Sequence, residues 1–176
     1  TISGYRKWVY EATLTLPSSC DSWHFVVALA FRNAGITNYT VPPAANNLYT
    51  EATLNTIDAP TSSSPTFPLD PIQYMCSGTK QHFSFEGIDA DGDVLTYTLV
   101  DPASAADNQT TCTFPPTPTS YVFAAGPLGG TSLATAPFAV TGGPFNLNNT
   151  TGLMSFTPNG VQKPQLAMLV TKRRGT

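Results

Sequence analysis

The sequence predicts an all-β protein: a β-sandwich preceded by part of a second β domain. Three observations carry that expectation. Charged residues make up only 11% of the 176-residue chain, against about 25% in ordinary soluble domains. Proline (16) and glycine (13) are abundant and punctuate short apolar runs, which is the pattern of strands joined by turns. Apolar residues recur with period two in several segments, and no amphipathic helix of any length is legible.

The first segment, Tyr5 to Leu16, sets Trp8, Tyr10, Ala12, Leu14 and Leu16 against Val9, Glu11, Thr13 and Thr15. That alternation predicts a half-buried strand, ended by Pro17-Ser18-Ser19. The second strand is expected from Trp23 to about Phe31. Trp23, Phe25, Val27, Leu29 and Phe31 share one face, and Val26, Ala28 and Ala30 the other, so both faces are apolar and the strand is central and covered. Arg32-Asn33-Ala34-Gly35 is a turn signal. The third strand is Leu48 to Asn55.

Ala59-Pro60-Thr61-Ser62-Ser63-Ser64-Pro65 has no side chain able to form a core and reads as a linker or extended crossover. It places a domain boundary near residue 62. Residues 1–62 are then a β-rich segment, either the last part of a larger β domain or a piece that packs on the second domain, and residues 63–176 form the sandwich. Short apolar pieces follow at Thr66-Phe67 and Ile72 to Met75, then a strand at His82 to Phe85 with Phe83 and Phe85 inward. Val94 to Val100 is a clear strand with Leu95, Tyr97 and Leu99 on one face. Residues 101–120 are polar and Pro-rich and read as a long loop. Short strands are expected at Tyr121 to Phe123 and Phe138 to Val140. Phe145 to Pro158 reads as a hairpin about an Asn/Thr/Gly turn, and Leu166 to Thr171 as the last strand.

The most informative stretch is Asp89-Ala90-Asp91-Gly92-Asp93, just ahead of the Leu95/Tyr97/Leu99 strand. It places three carboxylates within five residues. Unneutralised, they repel one another, and a hard cation with oxygen ligands removes that cost. Ca²⁺ favours flexible loops with alternating acidic side chains. The site expectation is therefore Ca²⁺ held by Asp89, Asp91 and Asp93, with backbone carbonyls and Glu86 or Asp101 completing the shell. The loop is not an EF-hand, because the twelfth position counted from Asp89 is Val100 rather than a bidentate Glu. The competing reading is an Asp-Gly turn in which the aspartates cap backbone amides with no metal.

Composition narrows the function classes. A net charge of −3 gives no basic footprint for nucleic acid. The one basic cluster, Lys172-Arg173-Arg174, reads as a solvated strand end. No run of eighteen apolar residues encodes a transmembrane helix. The sequence reads as a segment of a longer exported polypeptide. Three cysteines, Cys20, Cys76 and Cys112, allow one disulfide drawn in three ways and leave one thiol over.

Catalysis finds little support. A serine nucleophile needs a base and an orienting group. The two histidines, His24 and His82, are isolated in sequence, and no GxSxG elbow is present. His24 reads as a packed strand residue and His82 as a surface one. Glu11, Glu51 and Glu86 are scattered along strands rather than paired across a cleft. Gly126, Gly129 and Gly130 lack the lysine and the strand–helix setting of a phosphate loop. The expectation is a non-enzymatic protein. Tyr39, Tyr49 and Tyr121 are candidates for stacking on sugars, which keeps a carbohydrate-binding module as the alternative, together with a subunit of an extracellular filament whose edge strand a neighbour completes. Asn38, Asn108, Asn148 and Asn149 start triplets that match the glycosylation sequon.

Read together, "TLPSSCDSWHF…FRNAGITN…LYTEATLN…SSSPTF", then "C…FSFEGIDADGDVLTYTL" and "PFNLNNTTGLMSFTPNG…MLVTKRRGT", the chain resembles Bacteroidota surface proteins: the gliding-motility-associated and type 9-secreted proteins with cadherin-like or PKD-like domains. The resemblance spans nearly the whole chain in matching order. It implies an exported, multidomain protein with an Ig-like/cadherin-like β-sandwich at the cell surface. Its partners would be neighbouring domains of the same polypeptide, cell-surface glycans or other surface proteins. It also implies that Asp89, Asp91 and Asp93 occupy a turn able to hold Ca²⁺, and that Cys20 pairs with Cys76. The sequence departs from its relatives where Ala30-Phe31 precede Arg32-Asn33, a position at which they often carry cysteine.

Overall fold

The computed structural model describes residues 4–30, 32–33, 35–38, 48–104, 109–112, 119–120 and 137–174. Among these residues the fold is all-β, without a helix. Ten strands form: β1 (Trp23–Leu29), β2 (Leu48–Leu54), β3 (Gln81–Phe83), β4 (Val94–Val100), β5 (Ala103–Ser104), β6 (Gln109–Thr111), β7 (Thr119–Ser120), β8 (Asn146–Leu147), β9 (Met154–Phe156) and β10 (Ala167–Arg173). They assemble into four small antiparallel sheets, ordered β2-β1-β6, β10-β4, β3-β9-β8 and β5-β7. No helix is long and apolar enough to cross a membrane among the described residues.

The core follows from the alternating pieces. Phe138, Met154 and Phe156 are buried, and Met75, Phe83, Phe85, Val140, Phe145, Leu147, Leu166 and Met168 pack against them. Phe138 meets Phe156 edge-on at 4.9 Å, and Phe145 stacks on Phe156 at 5.4 Å, arrangements the ring quadrupoles favour. In β4 the alternation is realised as expected: Leu95, Tyr97 and Leu99 are buried while Val94 and Thr98 are exposed. The β8–β9 hairpin also forms, with Asn146 opposite Ser155 and Leu147 opposite Met154. Its turn is held by Asn148, whose Oδ1 accepts from Thr150 N and Thr151 N, both at 3.0 Å. Gly152 closes the turn at φ 69°, and a Cβ there would lie 3.0 Å from the Tyr97 ring. Both the left-handed backbone and the close ring select glycine.

Several expectations need correction. Tyr5 to Leu16 forms no strand: residues 4–15 are exposed, with Trp8, Val9, Tyr10 and Leu14 among the large apolar side chains left uncovered. Alternation creates the capacity to pair, but a strand also needs a partner edge, and among the described residues none pairs with it. β1 is central, but only its first half is covered. Trp23, His24 and Val26 are buried, whereas Val27 and Leu29 are exposed. Phe138 to Val140 contributes one isolated bridge, Val140 to Pro158, rather than a strand. The 101–120 stretch contains β5, β6 and β7. The strand expected at Tyr121 to Phe123 lies outside the described residues.

The disulfide joins Cys20 to Cys112, not Cys76, which is an exposed free thiol. The reason lies in strand pairing. β6 lies beside β1 with Thr111 opposite His24, which brings Cys112 to the chain just before β1. The expected boundary near residue 62 is crossed by this bridge, by the β1–β6 pairing, and by Asn38. The Asn38 amide, itself buried, donates to Pro137 O (2.9 Å) and Gln165 O (2.8 Å) and accepts from Gln165 N (2.9 Å).

Candidate cation site

The acidic loop runs directly into β4, so its geometry is anchored at one end by a buried strand. Asp89 organises the turn. Its Oδ1 accepts from Asp91 N and Asp93 N, both at 3.0 Å, and its carbonyl accepts from Gly92 N at 3.3 Å. Gly92 sits at φ 75°, a left-handed position that favours glycine. With Oδ1 engaged by the backbone, Oδ2 of Asp89 is left to face its neighbours. Ligand oxygens of Asp89, Asp91 and Asp93 lie within 4.8 Å of one another, so the cluster can hold a metal ion. Glu86 and Asp101, expected to complete the shell, are not in that group.

The structure adds two partners that the sequence did not reveal. The first is Lys172. β10 pairs with β4 so that Lys172 stands opposite Leu95, and its ammonium reaches into the cluster. Nζ lies 2.9 Å from Asp89 Oδ2, 2.5 Å from Asp91 Oδ2 and 3.1 Å from Asp93 Oδ2. The Lys172 side chain is only 15% exposed, and those of Asp89 and Asp93 are 1% and 6% exposed. This corrects the reading of Lys172-Arg173-Arg174 as a solvated strand end. Arg174 extends the ion-pair set, with Nε 3.8 Å from Asp93 Oδ1.

The second partner is the linker. Ser63 N donates to Asp91 Oδ2 at 2.7 Å, its hydroxyl lies 3.4 Å from Asp91 Oδ1, and its carbonyl accepts from Lys172 Nζ at 2.8 Å. An antiparallel bridge between Thr66 and Ile88 holds it there, with two N–H···O bonds of 2.8 Å. A stretch too polar to form a core is ordered by backbone groups instead. Four oxygens thus converge on one point: three carboxylate oxygens and the Ser63 carbonyl.

The electrostatics follow. Burial pushes the Asp89 carboxyl up, but the Lys172 ammonium and the Asp93 and Asp91 amides outweigh it and hold it below the usual carboxylate range. Asp91 is held low by hydrogen bonds from Lys172 and from the Ser63 amide. Lys172 loses hydration, which lowers its affinity for the proton. The carboxylates of Asp91, Asp89 and Asp93 more than offset this and hold it well above the ordinary lysine value.

A second polar cluster lies on the β1–β2 pair, where register sets Val26 opposite Glu51 and Ala28 opposite Tyr49. Ser22 Oγ is 2.9 Å from His24 Nε2, His24 Nδ1 bonds Glu51 Oε1, and Tyr49 O–H donates to Glu51 Oε2 at 2.5 Å. Sequence reading missed this cluster because the contacts cross strands. The period-two spacing of Ser22 and His24 and the exposed-face glutamate were the available signals. Its order of contacts, hydroxyl to imidazole to carboxylate, is that of a serine nucleophile relay. Such a relay also needs donors for an oxyanion, and Ser22 N is turned to Cys20 Sγ at 3.4 Å. Tyr49, a candidate sugar-stacking residue, has its hydroxyl committed to Glu51; Tyr39 and Tyr121 lie outside the described residues. His82 is exposed, with Nδ1 2.9 Å from Ser155 Oγ.

No known protein family, curated protein or solved structure matches this chain.

Proposed function

We propose that this chain is a non-enzymatic structural or adhesive module of a larger exported cell-surface protein, with an Ig-like/cadherin-like sandwich stiffened by Ca²⁺ at Asp89, Asp91 and Asp93. The observation that carries the reading is the convergence of three carboxylate oxygens, within 4.8 Å of one another, with the Ser63 carbonyl of the linker. Oxygen-only donors suit a hard cation, and Ca²⁺ accepts the irregular geometry that Mg²⁺ resists. A cation there ties two pieces of chain, the linker and the loop ahead of β4. The low charge content, the disulfide and the resemblance to Bacteroidota surface proteins support an extracellular setting. Neighbouring domains of the same polypeptide are the partners that a stiffened joint serves.

Thermal unfolding with Ca²⁺ and with chelator tests the reading. Ca²⁺ at a hundred times its Kd stabilises a protein by about 2.7 kcal/mol, which in a chain of this size raises Tm by about 5–10 °C. Superimposable melting curves with Ca²⁺ and with chelator would refute it.

The exposed alternation of Trp8 to Leu14 favours a second reading, a filament subunit in which this segment adds to the sheet edge of a neighbour. Size-exclusion chromatography of the chain with and without residues 1–16 tests it: concentration-dependent assembly lost on truncation supports strand donation, and a monomer in both forms refutes it.

A further inference from the structure

The ammonium of Lys172 occupies the point where a metal ion would sit. It lies 2.5–3.1 Å from three carboxylate oxygens and 2.8 Å from the Ser63 carbonyl. Its hydrogen bonds are directed at Asp91 Oδ2 and Ser63 O. Asp89 Oδ2 and Asp93 Oδ2, both buried, are ion-paired to the same ammonium at 2.9 and 3.1 Å. One ammonium with three N–H donors thus serves four oxygens. A Ca²⁺ ion bonds oxygens at about 2.3–2.6 Å. An ammonium and a metal cannot share a seat of this size.

We infer that Lys172 is a built-in competitor for the Ca²⁺ seat, so that metal binding expels its ammonium to solvent and metal loss lets it return. The inference rests on the Ca²⁺ reading of the site and adds the mechanism by which the site is regulated. In the lysine-held state one positive charge faces three carboxylates, and the loop, linker and β10 stay joined without metal. In the metal-held state a doubly charged ion takes over the same oxygens. The module therefore has two closed forms rather than one ordered and one disordered form. Its apparent Ca²⁺ affinity is set by how often the lysine vacates the seat. Lys172 lies in β10, opposite Leu95 of β4, so its departure also releases the end of that strand pair from the linker.

Two measurements on the full chain test this. The first is calorimetric titration with Ca²⁺ of the wild type, Lys172→Met and Arg173→Met. A seat free one-tenth of the time weakens apparent affinity about tenfold, so Lys172→Met should bind at least about tenfold tighter. Arg173→Met, which removes the same charge from the exposed neighbouring residue, should change affinity by no more than about twofold. Equal affinity in wild type and Lys172→Met, or an equal gain in both variants, overturns the inference. The second uses the wild type alone and so stands even if Lys172→Met fails to fold. Acetic anhydride labelling read by mass spectrometry should find Lys172 slow in chelator and several-fold faster in Ca²⁺, with Lys7 unchanged. Ca²⁺ binding with no change at Lys172 overturns the competition while leaving the site intact. No Ca²⁺ binding by any of the proteins overturns both the competition and the site.

Discussion

Breaking the Cys20–Cys112 bridge should cost as much as a large core truncation, and the cost can be worked from topology. The two cysteines are 92 residues apart in sequence. Constraining a loop of that length in the unfolded chain stabilises the native state by about 4–5 kcal/mol in the chain-entropy treatment, with 2–4 kcal/mol more typical of measured bridges. With a urea m-value of about 2 kcal/mol per molar, Cys112→Ser should lower the unfolding midpoint by about 1–2 M. Cys76→Ser, at an exposed free thiol, should leave it unchanged. The assay is urea unfolding of each variant followed by circular dichroism, with non-reducing peptide mapping to identify the linked cysteines. A Cys20–Cys76 linkage, or a midpoint that falls for Cys76→Ser and not for Cys112→Ser, would refute the pairing of β1 with β6 from which the bridge follows.

Other consequences are equally direct. Met154 is fully buried among Phe138 and Phe156, so Met154→Ala should cost about 2–5 kcal/mol by the same unfolding assay. Gly152→Ala should destabilise through both its left-handed backbone and its contact with Tyr97, whereas Gly142→Ala, at φ 68° with open space, should show the backbone cost alone, about 1–2 kcal/mol. In chelator, Asp89 and Asp91 titrate below their usual 3.8. Their stabilisation is complete above about pH 4 and lost as pH falls through the depressed values. Lys172 titrates above its usual 10.5, so its contribution holds below that pH and fades only at stronger alkali. Lys172→Met should flatten both limbs of a Tm–pH profile, and a profile unchanged by that substitution would contradict the ion-pair geometry. The Ser22–His24–Glu51 contacts should give no stoichiometric burst with p-nitrophenyl acetate, and a burst abolished by Ser22→Ala would show a working nucleophile.

Much of the strand pattern was legible because burial in a sheet imposes period two. Leu95, Tyr97 and Leu99 announce β4, and the Phe145 to Pro158 stretch announces its hairpin through Asn148 and Gly152. Tyr5 to Leu16 shows the limit of that logic: the alternation is present, yet pairing depends on an edge that local sequence does not specify. The disulfide was misassigned because cysteine pairing follows the β1–β6 neighbourhood, a contact between residues far apart in the chain. At the cation site the acidic loop was plain, since Asp89, Asp91 and Asp93 are adjacent and Gly92 marks the turn. Lys172 and Ser63 were not, because each reaches the loop through long-range pairing: β10 against β4, and Thr66 against Ile88. A basic run at a strand end reads as solvated until the facing strand is known to be preceded by a loop of carboxylates.

The most direct test is anomalous diffraction from a crystal of the chain grown in Ca²⁺. A peak is expected at the focus of Asp89, Asp91, Asp93 and the Ser63 carbonyl, with oxygens at about 2.3–2.6 Å and the Lys172 ammonium turned to solvent. A Lys172 ammonium still seated among those oxygens at millimolar Ca²⁺, with no anomalous peak beside it, would overturn the Ca²⁺ seat.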